Sequence, residues 1–334
     1  MHEQTFNAMI VEEFEPRKFV RQIRSRTIDD LPAGDLLVKV HYSSLNYKDA
    51  LSATGRPGVT RHYPHTPGID ASGVVIESAG NAFAPGDSVI VTGHDLGMDT
   101  AGGYGQYIRI PSDWALPLPA GLSLRESMIL GTAGFTAGLS VWKLRQNGVQ
   151  PGGGDILVTG ASGGVGSIAV AILSRAGYRV VAATGKSAES GFLQTLGAAE
   201  VIGREQVLAW AERPMMKERW AGVVDVVGGE MLAAAIKATR YGGTVTCCGL
   251  VGSADLNVNV FPFILRGVSL LGIDSVQCPR RMREAVWEKL AGEWKPADLE
   301  ATATECTLQS LEGYIQRVLN GSSRGRTLVN LLDS

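Results

Sequence analysis

Three evenly spaced glycines, Gly160, Gly163 and Gly166, stand in the string Val158-Thr159-Gly160-Ala161-Ser162-Gly163-Gly164-Val165-Gly166. The apolar run Ile156 to Thr159 precedes them as a predicted strand, and Val165 to Arg175 follows as a predicted helix. Glycine at such positions lets the turn close, lets the backbone approach a pyrophosphate and lets the helix pack against its strand. The helix N-terminus then offers free N–H groups and the positive end of a dipole, so Ser162, Gly163, Gly164 and Val165 are the expected phosphate contacts. The spacing departs from Gly-x-Gly-x-x-Gly at its second glycine, and a merely structural turn is the alternative.

The end of the next predicted strand, Arg179 to Thr184, bears on which dinucleotide would bind. An NAD site carries Asp or Glu roughly 20 residues after the glycines to accept from the ribose 2′-OH. Here the chain reads Ala183-Thr184-Gly185-Lys186-Ser187, without an acid. A carboxylate would repel a 2′-phosphate, whereas Lys186 attracts it and the hydroxyls of Thr184 and Ser187 can donate to it. NADPH is therefore the expected cofactor, the alternative being a solvated lysine at a helix start.

The elements that must position these residues follow from length and texture. A chain of 334 residues has room for two domains with separate cores. With 45% hydrophobic and 19% charged residues it is too apolar for disorder. A formal charge of -2 supplies no basic field for nucleic acid or an anionic membrane, so any anion site is local. Glycine at 42 residues, against a usual share of roughly 7%, announces many tight turns. Cys247, Cys248, Cys278 and Cys306 form no C-x-x-C pair, and residues 1–20 lack an apolar signal core, so a reducing cytoplasm is expected. Ile156 to Ser174 is uncharged, yet its glycines, Thr159 and Ser162 break it into strand, turn and helix, and no membrane span is expected.

Up to about Pro119, short extended runs such as Leu36 to Val40, Ser72 to Ile76, Asp87 to Val91 and Gln106 to Ile110 alternate with turn signals, which predicts an all-β, barrel-like domain. From about residue 125 the texture becomes helical. After Pro151 strands at Ile156 to Thr159, Arg179 to Thr184, Glu200 to Ile202, Val223 to Val227, Thr244 to Cys248 and Val268 to Ile273 alternate with helices. That alternation of apolar strands and helices predicts an α/β, doubly wound parallel sheet of the Rossmann kind. Beyond Asp274 come helices over Arg281 to Leu290 and Leu308 to Leu319 and a strand at Thr327 to Leu331. The expected division is 1–125 for the first domain, 126–274 for the nucleotide domain, and 275–334 returning to the first.

Six ordered strings carry a resemblance over essentially the whole chain: Ser44-Leu45-Asn46-Tyr47-Lys48-Asp49-Ala50, Pro67-Gly68-Ile69-Asp70, Gly131-Thr132-Ala133-Gly134-Phe135-Thr136-Ala137, the glycine turn, Pro262-Phe263-Ile264-Leu265-Arg266 and Gly325-Arg326-Thr327-Leu328-Val329. Together they resemble the medium-chain dehydrogenase/reductase superfamily and, within it, the acryloyl-CoA reductase group, also known as YhdH/YhfP-type quinone oxidoreductases. The resemblance implies a GroES-like β-barrel catalytic domain before the Rossmann domain. It also implies NADPH contacts by Tyr47, Thr136, Arg204, Leu250, Ile264, Ser275 and Arg326. The zinc-binding Gly-His-Glu segment of the superfamily's alcohol dehydrogenases is replaced by Gly68-Ile69-Asp70, and Asn46 falls near their first cysteine ligand, so no metal is expected. His62 and His65 are read as ordinary loop histidines.

The implied reaction is zinc-independent, NADPH-dependent reduction of an activated C=C bond, acryloyl-CoA to propanoyl-CoA. Quinone reduction is the alternative, and an NADPH-binding protein without turnover is the alternative of another class. Hydride attack at the β-carbon places negative charge on the carbonyl oxygen, which needs pre-aimed donors. Tyr47 is the expected donor there and Asn46 the residue that orients substrate or cofactor amide, both as catalytic residues. Asp49 is expected to hold local backbone. Arg280, Arg281 and Arg283, with Arg56 and Arg61, are candidates for CoA phosphates, although Arg280 and Glu284 also have the spacing of a helical ion pair. The runs Val223 to Val227 and Val268 to Ile273 point to a homodimer formed at sheet edges.

Overall fold

A computed structural model describes residues 4–209 and 211–334. Thr5–Glu15 (β1), buried from Ala8 to Val11, and the more exposed Lys18–Thr27 (β2) form an antiparallel hairpin. The barrel sheet contains Leu36–Leu45 (β3), Asp70–Ser78 (β4), Ser88–Thr92 (β5), Tyr107–Ile110 (β6) and Ala115–Pro117 (β7). The nucleotide-domain strands are Ile156–Val158 (β8), Val180–Thr184 (β9), Glu200–Gly203 (β10), Trp220–Asp225 (β11), Thr239–Cys247 (β12) and Ser269–Gly272 (β13). Ala303–Thr307 (β14) and Arg326–Asn330 (β15) come last.

β14 and β15 complete the first sheet, whose order is β14-β15-β3-β4-β5-β7 with β6 also paired to β3. Val38, Val40, Val75, Val89, Val91, Ile108 and Val329 form the centre of its core. The second sheet is wholly parallel in the order β10-β9-β8-β11-β12-β13. The glycine turn therefore leaves the strand at which the winding reverses, the usual place for a ligand in such sheets. Val181, Val223, Leu232, Ile236 and Val245 fill one covered face.

Two boundaries differ from expectation. One compact unit runs to Thr132 and resumes at Leu299; the other is Ala133–Asp298. The helical run Leu124–Gln146 begins before residue 126 and is broken at Gly131, whose φ of 50° and ψ of -156° are not helical, so the units divide at that break. The tail also stays with the second unit further than residue 275. Its helix Arg280–Ala291 stacks Trp287 on Phe135 at 6.2 Å, and Trp294 meets Trp142 at 6.5 Å. Only after Asp298 does the chain rejoin the first unit.

The predicted strand Val223 to Val227 ends early. Asp225 turns the chain by accepting from Gly228 N (2.8 Å) and Val227 N (3.3 Å), while Thr159 Oγ1 donates to its other oxygen (2.7 Å). β11 also lies between β8 and β12, so of the two runs expected at a sheet edge only the one around β13 is there.

Candidate active site and cofactor cradle

In the second unit the turn after β8 is shaped by contacts that exclude side chains. Gly160 has φ of +56°, and a Cβ on Gly166 would stand 2.3 Å from Gly160 O, so the helix Gly164–Arg175 starts pressed against the turn. A Cβ on Gly163 would come no closer than 3.4 Å to its nearest neighbour, Gly160 O. The face of Gly163 thus opens outward, where an approaching phosphate would need it bare. No side chain caps this helix, so the first N–H groups at Gly164 and Val165 point to the same opening. These residues fit a dinucleotide pyrophosphate.

At the end of β9 the buried Thr184 hydroxyl is shared by Ser162 Oγ (3.0 Å) and Lys186 N (3.1 Å). Ser162 and Thr184 therefore tie the two turns together. Burial pushes the Lys186 ammonium pKa down, against the pull of Glu189. The exposed Arg204 guanidinium lies against Gly185. Asp225, beneath the turn, is buried, and that burial raises its carboxyl pKa despite three hydrogen bonds.

A cavity of about 800 Å³ opens beyond the C-terminal ends of β12 and β13, lined by Cys248, Leu250, Ile273, Leu139 and Met282 among others. Ser275 follows β13 at that end, its carbonyl accepting from Arg283 Nη2 (3.0 Å). Thr136 is buried in the helical run, its carbonyl accepting from Ser140 Oγ (2.9 Å). Ile264 does not join them. Its helix Phe261–Arg266 precedes β13, at the opposite end of that parallel strand from the cradle, and its side chain is 69% exposed.

In the first unit a buried polar cluster underlies Tyr47. Asn46 opens the short helix Tyr47–Ser52, and Asp49 Oδ2 accepts from Asn46 N (2.8 Å) while its Oδ1 accepts from Ile69 N (2.8 Å). Asp49 thus holds backbone as expected. Asp70 accepts from Ser44 Oγ (2.5 Å), Asn46 Nδ2 (2.8 Å), Thr132 N (2.9 Å) and Thr132 Oγ1 (2.6 Å). Arg326, 2% exposed, donates to Ile129 O (2.9 Å), Leu45 O (3.3 Å) and Asn46 Oδ1 (3.2 Å), with its Nη2 4.0 Å from Asp70. Burial, with the Asp70 charge beside it, pushes the Asp49 carboxyl up to about 7.

Two side chains of the expected site lie within this cluster. The Asn46 amide is engaged within it: Nδ2 donates to Asp70 and Asp49, and Oδ1 accepts from Arg326, an arrangement that positions the neighbouring Tyr47. Arg326 is likewise buried within the cluster, donating to Asn46, Leu45 and Ile129. Tyr47 remains 43% exposed on a segment fixed from below. Ser44, Asp70 and Thr132 were not singled out by sequence reasoning. The acid kept in Gly68-Ile69-Asp70 was the available signal.

The expected CoA cluster also changes. Arg283 is buried, donates to Ser275 O and Val276 O, and lies over the Phe135 ring at 4.8 Å. Arg280 pairs with Glu284 at 2.8 Å and Arg61 with Asp99 at 2.6 Å. His65 is an ordinary buried histidine, its Nε2 2.9 Å from Gly97 O.

Residues 32–120 match the alcohol dehydrogenase GroES-like domain and residues 164–292 the zinc-binding dehydrogenase family. The acrylyl-CoA reductase AcuI of Ruegeria pomeroyi is 44% identical, with 98% of this chain and 99% of that protein covered. YhfP of Bacillus subtilis, named as a quinone oxidoreductase, is 46% identical over 92% of this chain and 94% of that one. Its crystal structure with NAD bound superposes with a TM-score of 0.95 at 44% identity, covering 98% of this chain and all of that one. The Salmonella enterica yhdH oxidoreductase in complex with NADP gives 0.94 at 42% identity, covering 97% of this chain and 99% of that one. With both family models matched and this degree of identity over nearly its whole length, the chain belongs to the medium-chain dehydrogenase/reductase superfamily, in the group of the acrylyl-CoA reductases and the YhdH/YhfP oxidoreductases.

Proposed function

We propose that this protein is an NADPH-dependent reductase of a short enoyl thioester, acryloyl-CoA being reduced to propanoyl-CoA. The observation that carries it is the full-length similarity to AcuI, joined to a pyrophosphate cradle whose second strand ends in Thr184-Gly185-Lys186 without a carboxylate. Bound NADPH would supply hydride from its nicotinamide ring. Ser162, Gly163, Gly164 and Val165 would hold its pyrophosphate, and Lys186 with Arg204 its 2′-phosphate.

Tyr47 donates a hydrogen bond to the thioester carbonyl oxygen, where negative charge grows as the β-carbon accepts hydride. Asn46, Asp49, Asp70 and Arg326 keep the Tyr47 segment from shifting as that charge develops, so the donor does not have to reorganise. Solvent water protonates the resulting enolate at the α-carbon, so that one hydride and one proton complete the saturated product.

We further propose a cytoplasmic homodimer. Its support is the free edge of β13, the exposed Leu250, Val251, Ile264 and Leu265 in the same unit, and four free cysteines suited to a reducing compartment. Among the described residues no helix is long and apolar enough to cross a membrane.

NADPH and NADH oxidation measured in parallel with acryloyl-CoA, crotonoyl-CoA and a benzoquinone tests the reaction. Turnover of acryloyl-CoA with NADPH far above NADH is expected. Turnover of the quinone alone would replace the thioester by the quinone, as the name of YhfP favours. NADPH binding without turnover of any of them would leave a nucleotide-binding protein.

A further inference from the structure

The two strands that carry the expected 2′-phosphate residues end side by side. In the parallel ladder of β10 and β9 the last rung is Gly203 with Thr184, and the next residue on each strand is Arg204 and Gly185. The Arg204 guanidinium packs against the bare Cα of Gly185, Nη2 foremost. A Cβ there would stand 2.5 Å from Nη2, 3.2 Å from Cζ and 3.3 Å from Nε. The cation is exposed, and none of the described residues hydrogen-bonds or pairs with its guanidinium. A guanidinium at rest without a counter-charge, seated on Gly185, the residue before Lys186, at the paired ends of two strands, is placed to receive an anion.

We infer that Gly185 is a cofactor-selectivity residue that acts by having no side chain: it is the seat that holds Arg204 where a ribose 2′-phosphate arrives, with Lys186 on the other flank. This rests on the NADPH proposal above and adds to it which position sets the preference. Lys186 brings a point charge; Arg204 brings a planar fork that matches phosphate geometry, and its value depends on being held in place beforehand. Any side chain at position 185 pushes the guanidinium off. The movement is cheap for the fold, because what must shift is the far end of a flexible side chain on the surface. Selectivity changes while stability does not.

Calorimetric titration with 2′,5′-ADP and with 5′-AMP isolates the 2′-phosphate without involving turnover. Wild-type protein is expected to bind 2′,5′-ADP at least tenfold tighter than 5′-AMP. Gly185→Ala should lose about tenfold for 2′,5′-ADP, equivalent to ~1.4 kcal/mol, with 5′-AMP binding within twofold and an unchanged melting temperature. Arg204→Ala should lose as much, and the double variant no more than Arg204→Ala alone, because both changes remove one interaction. Equal affinity of the wild type for the two nucleotides would overturn the NADPH proposal itself. A wild-type preference that survives Gly185→Ala, or losses that add in the double variant, would overturn the role of Gly185 while leaving NADPH in place. A fall in melting temperature with equal loss for both nucleotides would also overturn it, since position 185 would then act on the fold.

Discussion

At the scale of single residues, Tyr47 and Asp49 do opposite things on one short helix. Tyr47 is half exposed and offers a hydroxyl, while Asp49 is wholly buried and spends its carboxylate on Asn46 and Ile69. Tyr47→Phe should cut kcat with acryloyl-CoA by about tenfold to a hundredfold, as removal of one transition-state donor does, with 2′,5′-ADP binding unchanged. Steady-state kinetics beside calorimetry would separate the two. The Asp49 carboxyl, raised from near 4 to about 7, makes a pH-dependent contribution to stability. The folded state holds this proton over a range where the unfolded state has lost it, so the contribution is present at low pH and lost as pH rises from about 4 to about 7. Asp70, Arg326 and Tyr104 are the charged and titratable groups that face Asp49. Urea unfolding between pH 5 and pH 8 should therefore show wild type losing stability relative to Asp49→Asn across that range, and a constant difference between the two would refute the shift.

At the scale of elements, the break in Leu124–Gln146 joins the chain crossing to the polar cluster. Thr132, just after the break, donates twice to Asp70, and a Cβ on Gly131 would meet Asp70 Oδ2 at 2.5 Å and Ser44 Oγ at 2.6 Å. Both neighbours are buried and hydrogen-bonded, so neither can give way as the exposed Arg204 can. Gly131→Ala is expected to destabilise by roughly 1–3 kcal/mol through the left-handed φ and the clash, and to lower kcat as Asn46 loses its frame. Thermal unfolding and kcat measured on one preparation check both. The turn at Asp225 is a second case of one buried carboxylate ending an element, since the apolar run on either side would otherwise continue the strand.

For the whole molecule, apolar surface is concentrated at one edge of the parallel sheet. β13 has a partner only on one side, and Ile264 and Leu265 project from the helix that leads into it. A two-fold pairing of that edge would cover them and remove the open strand. Ile264→Asp with Leu265→Asp should shift the protein from dimer to monomer in light scattering while 2′,5′-ADP affinity stays within twofold. A wild type that is already monomeric would remove the dimer from the proposal.

Local chemistry made much of this legible in the sequence. The glycine turn, the six strands after Pro151 and the absence of an acid after β9 depend on neighbours in the chain, where spacing and side-chain type are sufficient. The same holds for Asp49 at its own helix start, where it accepts from Asn46 N. What tertiary structure alone decided involves partners far apart in sequence. Asp70 receives Thr132, Arg326 reaches back to Asn46 and Leu45, and together they hold the Asn46 amide within the cluster. Arg283, legible as one of a row of surface cations, is buried over Phe135 because that ring stands in a helix far upstream. Helical spacing says which side chains share a face but not what covers it, and burial is what separates a free charge from one already used.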